Sequence, residues 1–153
     1  VLYNLLTRQS LELTLTGERR QARHRFHVWA LAAPFVTFPV FYVFPWNPIY
    51  PAIVAMTVGA VATTLCRPNL IRKTWIGGLL FLGYYMIFLI GLEWTAPGYI
   101  ARVWNLEALS GLAIAGMPIE ELLFAITFGA YWSGVYEHFT WKTLIVSSVG
   151  RAR

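Results

Sequence analysis

The chain has 153 residues, 58% of them hydrophobic and 16% aromatic, and only 12% charged, against roughly 25% charged in ordinary globular domains. The apolar residues lie in long blocks, which excludes an ordinary soluble domain and predicts an all-α integral membrane bundle of about four transmembrane helices. A net charge of +5 would suit nucleic acid, but the charges fall in short segments between the blocks, where positive charge orients a membrane protein.

Residues 1–27 read as a basic cytoplasmic tail or loop, with Arg8, Arg19, Arg20, Arg23 and Arg25 and no cleavable signal peptide. Its His24-x-x-His27 pair has no further ligand nearby in sequence, and the expectation is a solvated or headgroup-facing pair, not a metal site. Residues 28–141 read as the membrane domain. The first block runs from Val28 to Phe44 and holds Pro34 and Pro39, which a membrane helix tolerates when neighbours cover the freed carbonyls. The second runs from Ile49 to Leu65, followed by a basic turn at Arg67-Pro68-Asn69 and Arg72-Lys73. The third spans Trp75 to Leu92. A polar stretch with Arg102, Asn105 and Glu107 leads into a fourth block over Ala108 to Val135, and residues 142–153 form a basic C-terminal tail.

Eleven of the twelve Lys and Arg residues fall in the first tail, the 67–73 turn and the C-terminal segment, leaving Arg102 alone on the other side. That asymmetry predicts four spans with both termini cytoplasmic, in a cytoplasmic or inner membrane. Trp29, Trp46, Trp75, Trp94, Trp104 and Trp141 lie near block ends, as an aromatic belt requires. Cys66 is the single cysteine, so no intramolecular disulfide can form.

Chemistry concentrates in the fourth block, at Pro118-Ile-Glu-Glu-Leu-Leu-Phe124. Read as one helix, the block carries Glu120 ~17 Å past Leu109, near the middle of the bilayer. Desolvation and mutual repulsion then oppose ionising Glu120 and Glu121 together, leaving a neutral carboxylic acid able to act as a general acid. The bland alternative is that the acids satisfy the Ile114 carbonyl freed by Pro118. Gly111 and Ala115, and Gly129 and Ser133, have small-xxx-small spacing for close helix approach. Phe124 lies one turn from both acids, Phe128 one turn further, and Tyr84, Tyr85 and Phe88 sit with Phe81 on the third block. Such rings can be packing or lipid contact, or can stabilise a carbocation. With no Asp, no glycine fingerprint and no Cys/His zinc spacing in the sequence, no magnesium-diphosphate cluster, dinucleotide site or catalytic zinc is expected.

The Pro118–Phe124 segment resembles the Pro-x-Glu-Glu-x-x-Phe signature of the membrane-integral lycopene cyclase family, and Arg102-Val-Trp104 and Val135-Tyr-Glu137 resemble its flanking pattern. The resemblance covers residues 74–141. It implies carotenoid biosynthesis: redox-neutral, acid-catalysed cyclisation of the ψ-ends of lycopene to β-rings, with no metal or other cofactor. In this reading Glu120 is the general acid and Glu121 its partner, with Pro118, Phe124, Phe128, Tyr84, Tyr85 and Phe88 lining the substrate. Ala125 stands where family members often carry a second aromatic, and the chain holds one motif where complete members carry two. A homo- or hetero-oligomer with a second cyclase-like half is therefore expected, with a lipid-soluble carotenoid as substrate and no nucleic acid. Two other readings compete: a CAAX-type intramembrane protease, whose Arg position is Ala125 here, and a non-enzymatic proton-conducting or assembly subunit using Thr127 and Tyr131.

Overall fold

The computed structural model describes residues 9–13, 26–140 and 142–146, with side chains over 26–140. Helices dominate the described residues. Strand β1 (Gln9–Leu13) precedes α1 (His27–Tyr42) and α2 (Ile49–Cys66). A 3₁₀ turn over Pro68–Leu70 leads directly into α3 (Ile71–Thr95), the longest helix. The short α4 (Tyr99–Val103), a 3₁₀ turn at Leu106–Ala108 and the strands β2 (Ala113–Ile114) and β3 (Met117–Pro118) follow. Helix α5 (Ile119–Thr140) and strand β4 (Lys142–Val146) complete the order.

The first three apolar blocks become α1, α2 and α3 with ends shifted by a few residues. The fourth does not form one helix. Residues 108–118 turn back on themselves in a β2–β3 hairpin, with Ile114 paired to Met117 and Ala113 to Pro118. Ala115 and Gly116 at its tip both have positive φ, 53° and 80°, as a type I′ turn demands. Pro118 therefore stands just outside α5 and breaks no helical bond. Gly111, also at positive φ (78°), and Ala115 lie outside any helix, so their small-residue spacing serves no helix crossing. The physical reason is local: two glycines and a proline in eight residues favour turns over an uninterrupted helix.

Helix α5 packs against both α2 and α3, while α1 packs chiefly on α2. Small residues set the approach of α3 to α5. A Cβ on Gly129 would lie 2.5 Å from the Phe81 Cβ and 2.8 Å from the Gly77 carbonyl oxygen. One on Gly77 would lie 2.4 Å from the Ser133 Cβ. The Gly129/Ser133 spacing thus works as read from the sequence, letting the backbones of α3 and α5 meet closely. Leu89, Ile100, Met117 and Leu122 form a buried cluster that fastens the α3–α5 connection onto the bundle.

Ile49–Cys66 and Pro68–Thr95 are each long and apolar enough to cross a membrane, yet only 28% and 11% of their most apolar stretches are buried within the chain. Large apolar side chains such as Phe35, Ile87, Trp94 and Phe139 face outward. Strands β1 and β4 pair antiparallel, Gln9 opposite Val146, bringing together segments on either side of the helices. The readings of 1–27 and 142–153 as basic tails otherwise lie outside the described residues.

Candidate active site

The hairpin delivers the chain into α5 so that Glu120 and Glu121 occupy its first turn. The expected position, deep within a continuous helix, is corrected: the pair sits at a helix N-terminus, where unsatisfied backbone N–H groups and the helix dipole favour carboxylates. Both are buried, Glu120 at 2% and Glu121 at 7% exposure.

Their four partners come from α2, α3 and the connection between α3 and α5. Glu120 Oε1 accepts from the Tyr50 hydroxyl at 3.0 Å, reaching over from α2, and from the Ser110 backbone N–H at 2.7 Å in the connection. Glu120 Oε2 is buried with no hydrogen-bond partner among the described residues. Glu121 Oε2 accepts from the Tyr85 hydroxyl of α3 at 2.6 Å, and its Oε1 from the Trp104 indole N–H. Every donor to the pair is neutral. Successive positions on a helix lie roughly 100° apart, so Glu120 turns toward α2 and Glu121 toward α3.

The connection that supplies Ser110 and Trp104 is itself anchored. Glu93, near the end of α3, accepts from the Gly98 N–H at 2.6 Å and the Ile100 N–H at 3.1 Å, fixing the start of α4. The Ile119 N–H donates to the Leu112 carbonyl at 2.9 Å, tying the hairpin to α5.

Of the expected aromatic residues, the structure gathers some and disperses others. Phe128 meets Phe81 at 5.0 Å and Phe124 at 5.6 Å between ring centroids, and Phe81 stacks on Tyr85 at 6.2 Å. Phe81, Tyr85, Phe124 and Phe128 thus make a continuous aromatic wall ending at Glu121. Tyr84 faces outward at 64% exposure, and Phe88 meets the wall in a tilted contact with Tyr85 at 6.4 Å. Pro118 is buried, immediately before the first turn of α5. An apolar groove of about 470 Å³ runs between α2, α3 and α5 past Thr57, Val61, Trp75, Leu123 and Thr127. Leu123 and Thr127 lie three and seven residues beyond Glu120, on the same stripe of α5. Sequence reasoning missed Tyr50 and Ser110 as partners of the acid. A tyrosine 70 residues away leaves no periodic signal.

Thr127 and Tyr131 spend their hydroxyls on the Leu123 and Leu31 carbonyls, so they form no polar file from Glu120. Ala125, the position a protease motif would fill with Arg, is fully buried.

The opposite end of the bundle holds a second polar cluster. His27, Cys66 and His138 converge there from α1, α2 and α5, all buried. This corrects the expectation that His27 faces headgroups: its ring is 1% exposed, because the start of α1 packs against the ends of α2 and α5. Lys73 pairs with Glu137 beside it, the carboxylate fully buried.

The family model for lycopene cyclase matches residues 47–139, from before α2 to the end of α5, a longer stretch than residues 74–141. It takes in Tyr50 together with both acids. No curated protein and no solved structure gives a match. The chain belongs to the lycopene cyclase family.

Proposed function

We propose that the chain is a lycopene β-cyclase-like isomerase that closes the ψ-ends of lycopene into β-rings within the membrane, with Glu120 as general acid. The observation that carries this is the division of labour on the Glu120 carboxyl. Oε1 already receives two donors, so a proton on the group belongs on Oε2, the buried oxygen without a partner. A carboxylic acid held this way has one hydrogen to give and, among the described residues, no acceptor for it.

The chemistry follows from that placement. The Oε2 proton adds to the terminal double bond of the polyene, leaving a tertiary cation. The Tyr50 hydroxyl, the Ser110 N–H and the α5 N-terminus then hold the carboxylate that remains. The inner double bond attacks the cation and closes a six-membered ring, moving the charge onto the ring. Removal of an adjacent ring proton restores neutrality. Glu121, an acceptor at both oxygens, takes that proton and releases it to water, and water returns a proton to Glu120 to complete the cycle. Nothing is oxidised or reduced, and reactant and product are isomers. The faces of Phe124, Phe128, Phe81 and Tyr85 offer the cation a quadrupole without a nucleophile. A hydrocarbon substrate reaches the apolar groove from the bilayer.

The same reading makes α1, α2, α3 and α5 four crossings, with both termini cytoplasmic. Low burial of the two most apolar helices supports a lipid surrounding over a soluble core. The β1–β4 pairing supports an even number of crossings. The basic turn at 67–73 falls at the His27–His138 end, opposite the acids. The single acid motif suits assembly with a second cyclase-like half.

Pigment analysis of lycopene-producing cells expressing the chain, with and without its genomic neighbours, tests the activity. Run in heavy water, the reaction places one deuterium on each new ring. Cyclic product without deuterium refutes protonation as the initiating step.

A further inference from the structure

We propose that His27, Cys66 and His138 form a metal site for a borderline-soft transition ion, Zn²⁺ above all, that locks three helices together at the end of the bundle remote from the acids. This inference is independent of the cyclase reading. His27 stands in the first turn of α1, Cys66 is the last residue of α2, and His138 lies in the last turn of α5. Residues 39 positions apart meet here, with His27 Nδ1 3.0 Å from Cys66 Sγ. A ring nitrogen of each histidine and the sulfur all lie within 4.8 Å of one another. Zinc bonds of about 2.0–2.1 Å to nitrogen and 2.3 Å to sulfur put tetrahedral ligand atoms roughly 3.3–3.6 Å apart. Metal binding draws the three side chains in from the present spread to that spacing.

The second observation is the state of His138. Its Nδ1 lies 2.8 Å from the Gly134 carbonyl, to which only an N–H can donate. The lone pair is therefore on Nε2, which is buried and has no hydrogen-bond partner among the described residues. A ring nitrogen fixed to a backbone carbonyl while the other offers its lone pair is the usual arrangement of a metal-bound histidine. An uncharged imidazole pair and one thiolate suit zinc or monovalent copper better than magnesium or calcium, which take oxygen ligands. The adjacent Lys73 is matched by Glu137, and the buried Arg67 beside His138 supplies positive charge that favours a thiolate at Cys66. Three protein ligands leave one position for water or an external ligand.

The test uses the full chain purified from membranes in detergent, without chelator, followed by elemental analysis and by cobalt titration of the stripped protein. Expected are about one zinc per chain and a cobalt–thiolate charge-transfer band, both falling at least tenfold in Cys66→Ala and in His138→Ala. Stripping the metal should lower the thermal midpoint, and zinc should restore it. A wild-type protein that takes up cobalt without the thiolate band, or that holds as much zinc after Cys66→Ala, overturns the site. Should the variants fail to accumulate, the wild-type cobalt spectrum still decides: no thiolate band means the cluster is a hydrogen-bonded core and not a ligand set.

Discussion

The two ends of the bundle both bury glutamates, and they hold them in opposite ways. At the acid end, Glu120 and Glu121 face hydroxyls, an indole and a backbone amide, all neutral. At the basic end, Glu137 is fully buried against the ammonium of Lys73. Removing one partner of a carboxylate matched by a full positive charge strands a buried charge. Removing one donor from a carboxylate matched by neutral dipoles strands none. Burial is common to the two ends; the charge of the partner separates them.

That contrast is sharpest under isosteric substitution. Glu120→Gln keeps the volume and removes the titratable proton, and should cost cyclisation ~10²–10⁴-fold at matched membrane abundance, measured by product per unit of inserted protein. Glu121→Gln should cost less, since its replacement still accepts one of the two hydrogen bonds. Near-normal cyclisation by the double glutamine variant would make the two ends equivalent and the acids structural.

Next in size is the basic end. Lys73→Met should destabilise the protein by about 3–5 kcal/mol, the effect of stranding one partner of a buried pair, read as a lower unfolding midpoint in detergent. Lys73→Met with Glu137→Leu should recover most of that loss. Product formed per folded molecule should stay unchanged in both; a fall in it would mean that the two ends share one proton path.

Tyr50→Phe and Trp104→Phe each remove one neutral donor from an acid. Hydrogen bonds to charged groups contribute about 1.5–3 kcal/mol, so each should slow cyclisation roughly ten- to hundredfold while insertion stays normal. Equal effects on Lys73→Met and Tyr50→Phe in both stability and rate would erase the distinction. The smallest effect is expected at the hairpin tip. Ala115 holds a left-handed conformation at φ 53°, which costs a residue with a Cβ about 1–2 kcal/mol. Ala115→Gly should raise stability by up to about 1 kcal/mol, after the entropy of the freer unfolded chain is set against it. A loss of stability would mean that the Ala115 methyl group packs against something useful.

Three helices were legible because each is an apolar run bounded by Pro, Asn or basic residues. The acid pair and Phe124 were legible through their spacing and family likeness. The hairpin was misread because Ala113, Ile114 and Met117 are as apolar as any helix, and hydropathy does not register backbone direction. The signal lay in Gly111, Gly116 and Pro118, with two acids just after the proline, the usual composition of a helix start. The pairings of Tyr50 with Glu120 and of His27 with Cys66 and His138 were beyond sequence reasoning, since their partners stand on helices whose mutual rotation no period encodes.

The connection between α3 and α5 gives the acid end a divided inheritance. The bundle decides where Glu120 and Glu121 stand, but the Ser110 amide and the Trp104 indole belong to a segment clipped between Glu93 and Ile119. Its hold on the bundle is the buried cluster in which Ile100 and Met117 meet Leu89 and Leu122. Reshaping the segment therefore shifts two donors to the acids and loosens the seat of α3 on α5 in the same stroke.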